Sequence, residues 1–186
     1  TSMIIFFGCV LIAAIAKPLV LFLLTAKWAE SIIYLQIFCF AIMFDHICRI
    51  NLNLLEVKGR SDLFLRLEII KKTISIAILF ASIPFGVIGI CVSKVIYTQI
   101  AVFINTYYTG KLFNLGYIAQ IKDFSGFLIK SIIACAPAYL ITYSEINNVV
   151  ALLIGCFSSV GIYWLLLRKN AYMIEMLLTI RSKIRK

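Results

Sequence analysis

Within the stretch FDHICRINLNLLEVKGR, the polar residues Asp45, His46, Arg49, Asn51 and Asn53 interrupt a run that is otherwise largely apolar. Asp45, Arg49 and Asn53 are spaced four apart, which puts them on one stripe of an α-helix, with His46 beside it. The opposite positions Ile42, Phe44, Ile47 and Leu54 are apolar and suit lipid or neighbouring helices. A carboxylate, a guanidinium and an amide on one face support two readings. In the first, the face lines a polar cavity where Arg49 offers a planar fork to phosphate or carboxylate oxygens. In the second, Asp45 and Arg49 pair one turn apart and merely let the helix insert. Either way this face must avoid lipid, because a charge in the hydrocarbon costs about 2.5–3.5 kcal/mol even on the lenient insertion scale. A proton relay through Asp45 and His46 is open to the same residues.

Two cations in other apolar segments could complete a basic lining: Lys17, which precedes Pro18, and Lys94, which follows Ser93. Both could instead snorkel to the headgroups. Pro18 removes a backbone hydrogen bond and predicts a kink, whose freed carbonyls need a neighbour or a cavity. Gln99 and Asn105 are better read as interhelical hydrogen-bonding residues than as ligands. His46 is the only histidine, and the six cysteines lie scattered in apolar runs without a CxxC spacing, so neither a metal site nor a cofactor is expected. The cysteines read as small helix-packing residues. There is no nucleophile motif, phosphate-cradling glycine loop or pair of carboxylates near a span end, and an enzyme is not expected.

The elements that must position these residues follow from composition. Of 186 residues, 63% are hydrophobic and only 14% charged, and the mean hydropathy is +1.04. That balance excludes a disordered chain and a soluble catalytic domain, and it predicts an all-α, polytopic membrane protein. Apolar segments at about 3 to 24, 31 to 55, 70 to 87, 88 to 108, 126 to 143 and 147 to 167 give about six transmembrane helices. Helix is the sensible assignment, since a spanning backbone must satisfy its own hydrogen bonds and the alternation of barrel strands is absent.

The net charge of +10 does not point to nucleic acid, because Lys and Arg gather at segment ends. Lys58, Arg60, Arg66, Lys71 and Lys72 fall between the second and third segments, Lys111 and Lys122 between the fourth and fifth, and Arg168, Lys169, Arg181, Lys183, Arg185 and Lys186 after the last. The alternate connections hold Lys27 with Glu30, then Pro84-Phe85-Gly86, then Ser144-Glu145-Ile146-Asn147. This alternation predicts a cytoplasmic carboxy terminus. The tail from Ala171 to Lys186 repeats Met173, Met176, Leu177 and Ile180 at helical spacing, and reads either as a helix lying on the inner leaflet or as a solvated orienting tail. A chain that starts at Thr-Ser-Met, at the mouth of a span, reads as a fragment.

The succession KPLVLFLLTAKW, YLQIFCFA, INLNLLEVKGRSDLFLRLEIIKK and IPFGVIGICVSKVI resembles the carboxy-terminal part of bacterial polysaccharide flippases, over about residues 1 to 140. These belong to the multidrug/oligosaccharidyl-lipid/polysaccharide exporter superfamily, and the similar subgroup is that of lipopolysaccharide or exopolysaccharide exporters. The NLNLL-x-VKGRSD segment is the most specific part. The resemblance implies one lobe plus two terminal helices of a fold of about fourteen spans, roughly the ninth to the fourteenth. Residues 1–108 would be second-lobe helices, 109–125 a cytoplasmic loop, 126–167 the terminal helix pair and 168–186 a basic cytoplasmic tail.

It also implies a function. Oligosaccharide repeat units on undecaprenyl pyrophosphate would cross the bacterial inner membrane by alternating access, through a basic, water-filled cavity. Arg49 and, with them in second place, Lys17 and Lys94 are the residues that could supply its charge, alongside Asp45, Asn53 and His46. The expected partners are the lipid-linked oligosaccharide, membrane lipid and the missing amino-terminal lobe of the same protein, without which a single lobe does not transport. The alternative is a non-transporting membrane accessory or anchor protein of cell-envelope polysaccharide assembly, with its buried charges structural. A drug exporter would need acidic residues in the spans, where only Asp45 qualifies.

Overall fold

The computed structural model describes residues 2–113, 116–142, 144 and 147–168, and every regular element among them is helical. In chain order these are α1 (Ser2–Ala14), α2 (Ala16–Leu24), α3 (Ser31–Val57), α4 (Ser61–Ser82), α5 (Gly86–Phe113), α6 (Tyr117–Ile141) and α7 (Asn148–Leu167), with short 3-10 turns at Ala26–Trp28 and Ile83–Phe85. Four stretches are long and apolar enough to cross a bilayer: Ser31–Val57, Ser61–Phe113, Tyr117–Ile141 and Asn148–Leu167. The pair α1 and α2, bent by 67°, makes a fifth if it is one broken span. Large apolar side chains such as Leu23, Phe80, Leu140 and Phe157 face outward, as a lipid-facing surface requires.

The stretch 61–113 is a hairpin. Phe64 and Leu67, at the start of α4, pack with Ile104, Tyr108 and Leu112 at the end of α5, so the two helices run antiparallel. The reversal uses Pro84 in the 3-10 turn and Gly86 at φ +68°, a left-handed conformation that favours glycine. The α3–α4 turn is equally short. Gly59 takes φ +72°, its N–H reaches the Glu56 carbonyl at 2.8 Å and the Arg60 N–H reaches the Leu55 carbonyl at 3.0 Å, closing α3 with a Schellman motif. At the start of α7, the Asn147 side chain accepts from the Val149 N–H at 3.1 Å.

The break between α1 and α2 lies where Pro18 predicts it. Proline has no N–H to continue the ladder, and the nearby Ala13 carbonyl accepts from Gln36 Nε2 of α3 at 3.1 Å. Small residues line the packed α6 and α7 pair, Ser131, Ala134 and Ala138 on one and Ala151, Gly155 and Ser159 on the other, all buried. A Cβ added at Gly155 would sit 3.4 Å from Ala138 Cβ and from Ile15 Cγ2, the close approach that small residues permit in membrane helices. Four cysteines are buried and two half-buried, all unpaired, in keeping with packing roles.

Two boundary expectations are corrected. The segment 109–125 is not a loop: α5 runs to Phe113 and α6 begins at Tyr117. Its polar residues Thr109 and Gln120 are buried and bonded across the bundle, which is why the helices persist through a polar composition. Likewise α4 begins at Ser61, not near 70, so Arg66, Lys71 and Lys72 stand on a helix and not in a loop. α6 and α7 pack on each other, and also α6 on α1 and α7 on α2. Lys58, Arg60, Arg66, Lys111, Lys122 and Arg168 gather at the end where α3, α5 and α7 finish and α4 and α6 begin. The tail from Lys169 onward, with its surface-helix reading, lies outside the described residues.

Candidate functional site

One face of α3 carries Asp45, Cys48, Arg49, Leu52, Asn53 and Glu56, the stripe expected from four-residue spacing extended by one more turn. It faces a cavity of about 570 Å³, whose other walls are Phe64, Glu68, Lys71, Lys72 and Ser75 of α4 and Lys94 and Tyr97 of α5. The α4–α5 hairpin therefore brings charges from two sequence-distant segments onto the α3 stripe. The lining holds four bases (Arg49, Lys71, Lys72, Lys94) and three acids (Asp45, Glu56, Glu68). Bases therefore exceed acids by only one in this lining.

The charges are held in two different ways. Lys71 is buried, its side chain only 6% exposed, and it donates to Glu68 Oε1 one turn away. Asp45 stands between two cations, with Oδ2 at 3.8 Å from Arg49 Nε and Oδ1 at 4.0 Å from Lys94 Nζ. Neither contact is short enough to be a hydrogen bond. Lys94 Nζ also lies 5.2 Å from the centroid of the Tyr97 ring, a cation–π distance. The Arg49 side chain is 79% exposed, so the cavity is open on its side. Such an arrangement can meet an anion with several donors at once.

A second polar cluster lies on another face of α3. Asn51 and Gln120 exchange two amide hydrogen bonds, Asn51 Nδ2 donating to Gln120 Oε1 at 2.9 Å and Gln120 Nε2 to Asn51 Oδ1 at 2.8 Å. Thr109 Oγ1 donates to Asn51 Oδ1 at 2.7 Å, and Asn51 Nδ2 also reaches the Ile47 carbonyl at 2.8 Å. Asn105 Nδ2 approaches the Cys48 carbonyl at 3.4 Å, while its Oδ1 has no hydrogen-bond partner among the described residues. This cluster ties α3, α5 and α6 together, with all four side chains buried.

Of the six candidates from sequence, Asp45, Arg49, Asn53 and Lys94 meet at the cavity. Lys17 is on α2, exposed and away from this lining. His46 is a correction, because it faces α1 and α6. Its Nε2 is 2.9 Å from Ser2 Oγ, its Nδ1 is 3.2 Å from the Met43 carbonyl, and its ring contacts Phe6 and Phe124. A carbonyl only accepts, so in the neutral ring Nδ1 carries the proton and Nε2 accepts from Ser2. Both ring nitrogens are engaged away from Asp45, which removes the proton relay. Gln99 lines a separate apolar pocket with Phe6, Phe40 and Phe44.

Sequence reasoning missed Glu56, Glu68, Lys71, Lys72 and Tyr97. The available signal was spacing: Glu68, Lys71, Lys72 and Ser75 fall three, four and seven apart, a helical stripe in its own right. Comparison with family models, with curated proteins and with solved structures finds no match for this chain.

Proposed function

We propose that this chain forms one lobe of a transporter that carries lipid-linked oligosaccharide repeat units, borne on undecaprenyl pyrophosphate, across the bacterial inner membrane by alternating access. The observation that carries the reading is the charged cavity of about 570 Å³ between α3, α4 and α5, within a bundle of long apolar helices. Ionisable residues at membrane depth are retained where they line a wet path or bind, and the donors of Arg49 and Lys94 suit pyrophosphate oxygens while a polyprenyl tail stays in lipid. In this reading the chain crosses about six times, α4 and α5 counting separately and α1–α2 as one broken span. The end that gathers Lys58, Arg60, Lys111 and Arg168 faces the cytoplasm. The open side of the cavity, where Arg49 is exposed, meets the other lobe of the same protein.

A second reading, a non-transporting accessory or anchor protein of envelope polysaccharide assembly, draws on the near balance of charge in the lining. Translocation in the whole protein in its own membrane separates the two. Under the transport reading, Arg49→Gln stops export at normal protein level and lipid-linked intermediates accumulate on the cytoplasmic face, with Arg49→Lys intermediate. Normal export in both variants rejects a substrate role for Arg49, and unchanged intermediates on deletion of the gene favour the accessory reading.

A further inference from the structure

The two ways in which the cavity holds its charges lead to a specific role for Asp45. Lys71 is committed: it is buried and hydrogen-bonded to Glu68 on its own helix. Arg49 and Lys94 are not. Each is drawn toward the Asp45 carboxylate from a different helix, α3 and α5, yet at 3.8 Å and 4.0 Å the contacts are coulombic only. Among the described residues neither cation has a hydrogen-bonded acceptor: the guanidinium fork of Arg49 meets only the Asp45 carboxylate at long range, and Lys94 only that carboxylate and the face of the Tyr97 ring.

We propose that Asp45 is a built-in counter-anion that keeps Arg49 and Lys94 poised, and that a phosphate-type anion entering the cavity takes over both cations in its place. The inference uses the same cavity as the transport reading but needs only that an anion binds there. A carboxylate bridging two helices at non-bonding distance compensates the cations while leaving their donors unused. A phosphoryl group, with three or more acceptor oxygens, satisfies donors of Arg49 and Lys94 together and binds through charge-assisted hydrogen bonds. Asp45 then opposes the ligand by like-charge repulsion, and this sets the affinity. The other charged groups lining the cavity are Glu56 on the last turns of α3 and Glu68, Lys71 and Lys72 on α4.

The test is binding of inorganic pyrophosphate to the full-length protein in nanodiscs of phosphatidylcholine, compared across single substitutions. Asp45→Asn tightens binding by about tenfold, a change of roughly 1.4 kcal/mol, while Arg49→Gln and Lys94→Gln each weaken it by a similar factor. Glu56→Gln removes an equal charge from the same cavity and changes binding less than threefold. Unchanged or weaker binding in Asp45→Asn overturns the proposal, and so do equal gains in Asp45→Asn and Glu56→Gln, which mean a diffuse field and not a counter-anion. If Asp45→Asn does not fold, undiminished pyrophosphate binding in both Arg49→Gln and Lys94→Gln overturns it. Repeating the measurement with phosphatidylglycerol nanodiscs identifies the source of the phosphate. Competition by that lipid in Asp45→Asn assigns the site to a lipid headgroup, and its absence assigns it to a soluble phosphate, either of which supports the exchange. The transport reading fails separately, when deletion of the gene leaves lipid-linked intermediates unchanged.

Discussion

Helix α3 has two polar faces that obey opposite rules. The face bearing Asn51 is closed: its amide, Gln120 and Thr109 are buried and their groups are matched by hydrogen bonds of 2.7–2.9 Å. The face bearing Asp45 and Arg49 is open, charged, and paired only at 3.8–4.0 Å. Neutral groups with matched donors and acceptors stabilise an interior contact without a large desolvation cost, whereas charges bring that cost and are kept where something must exchange with them. The first face holds α3 against α5 and α6; the second is the one where we propose that an anion binds.

Substitutions can break this contrast or sharpen it. The largest effect is expected at Asn51. Asn51→Leu strands the buried Gln120 amide and Thr109 hydroxyl, and should cost about 2–4 kcal/mol, read as a lower denaturant midpoint for unfolding in mixed micelles. Gln120→Leu added to it should restore part of the loss, and strict additivity in that double-mutant cycle would mean the two amides are not coupled. A smaller effect is expected at the committed pair of the cavity. Glu68→Gln leaves the buried Lys71 with a neutral partner and should cost about 1–2 kcal/mol, since Glu68 is itself 30% exposed and water compensates part of the charge. The smallest is at Arg49: Arg49→Gln should change stability by less than about 1 kcal/mol, its pair being long and mostly exposed. A large loss of stability there would make the open face structural and erase the contrast.

The stripe Asp45, Arg49, Asn53 was legible because helix spacing alone puts those residues together, and Pro18 announced the break in the first helix through its missing N–H. What was not legible has a common cause. Asn51 and Gln120 are 69 positions apart, and only tertiary packing reveals that each is the other's partner. The stretch around Gly110, Lys111, Lys122 and Asp123 reads as a loop by composition, yet Gly110 and Lys111 lie on α5 and Lys122 and Asp123 on α6, where the nearby Thr109 hydroxyl and Gln120 amide are buried and matched across the bundle. The first half of α4 hid for the same reason: Arg66, Glu68, Lys71 and Lys72 look like a polar connection until α3 and α5 supply the wall they face. His46 misled in the other direction, since adjacency to a polar stripe turned its ring by about 100° toward Phe6 and Phe124.

The tight reversal at Pro84 and Gly86 bears on how the chain enters the bilayer. Taken alone, the first half of α4 is a poor candidate for partitioning into lipid, because Asp62, Arg66, Glu68, Lys71 and Lys72 crowd its early turns. The turn leaves only Ile83–Phe85 between α4 and the more apolar α5. So short a turn leaves little slack for one helix to enter a bilayer without the other, and the pair is expected to insert as a single hairpin.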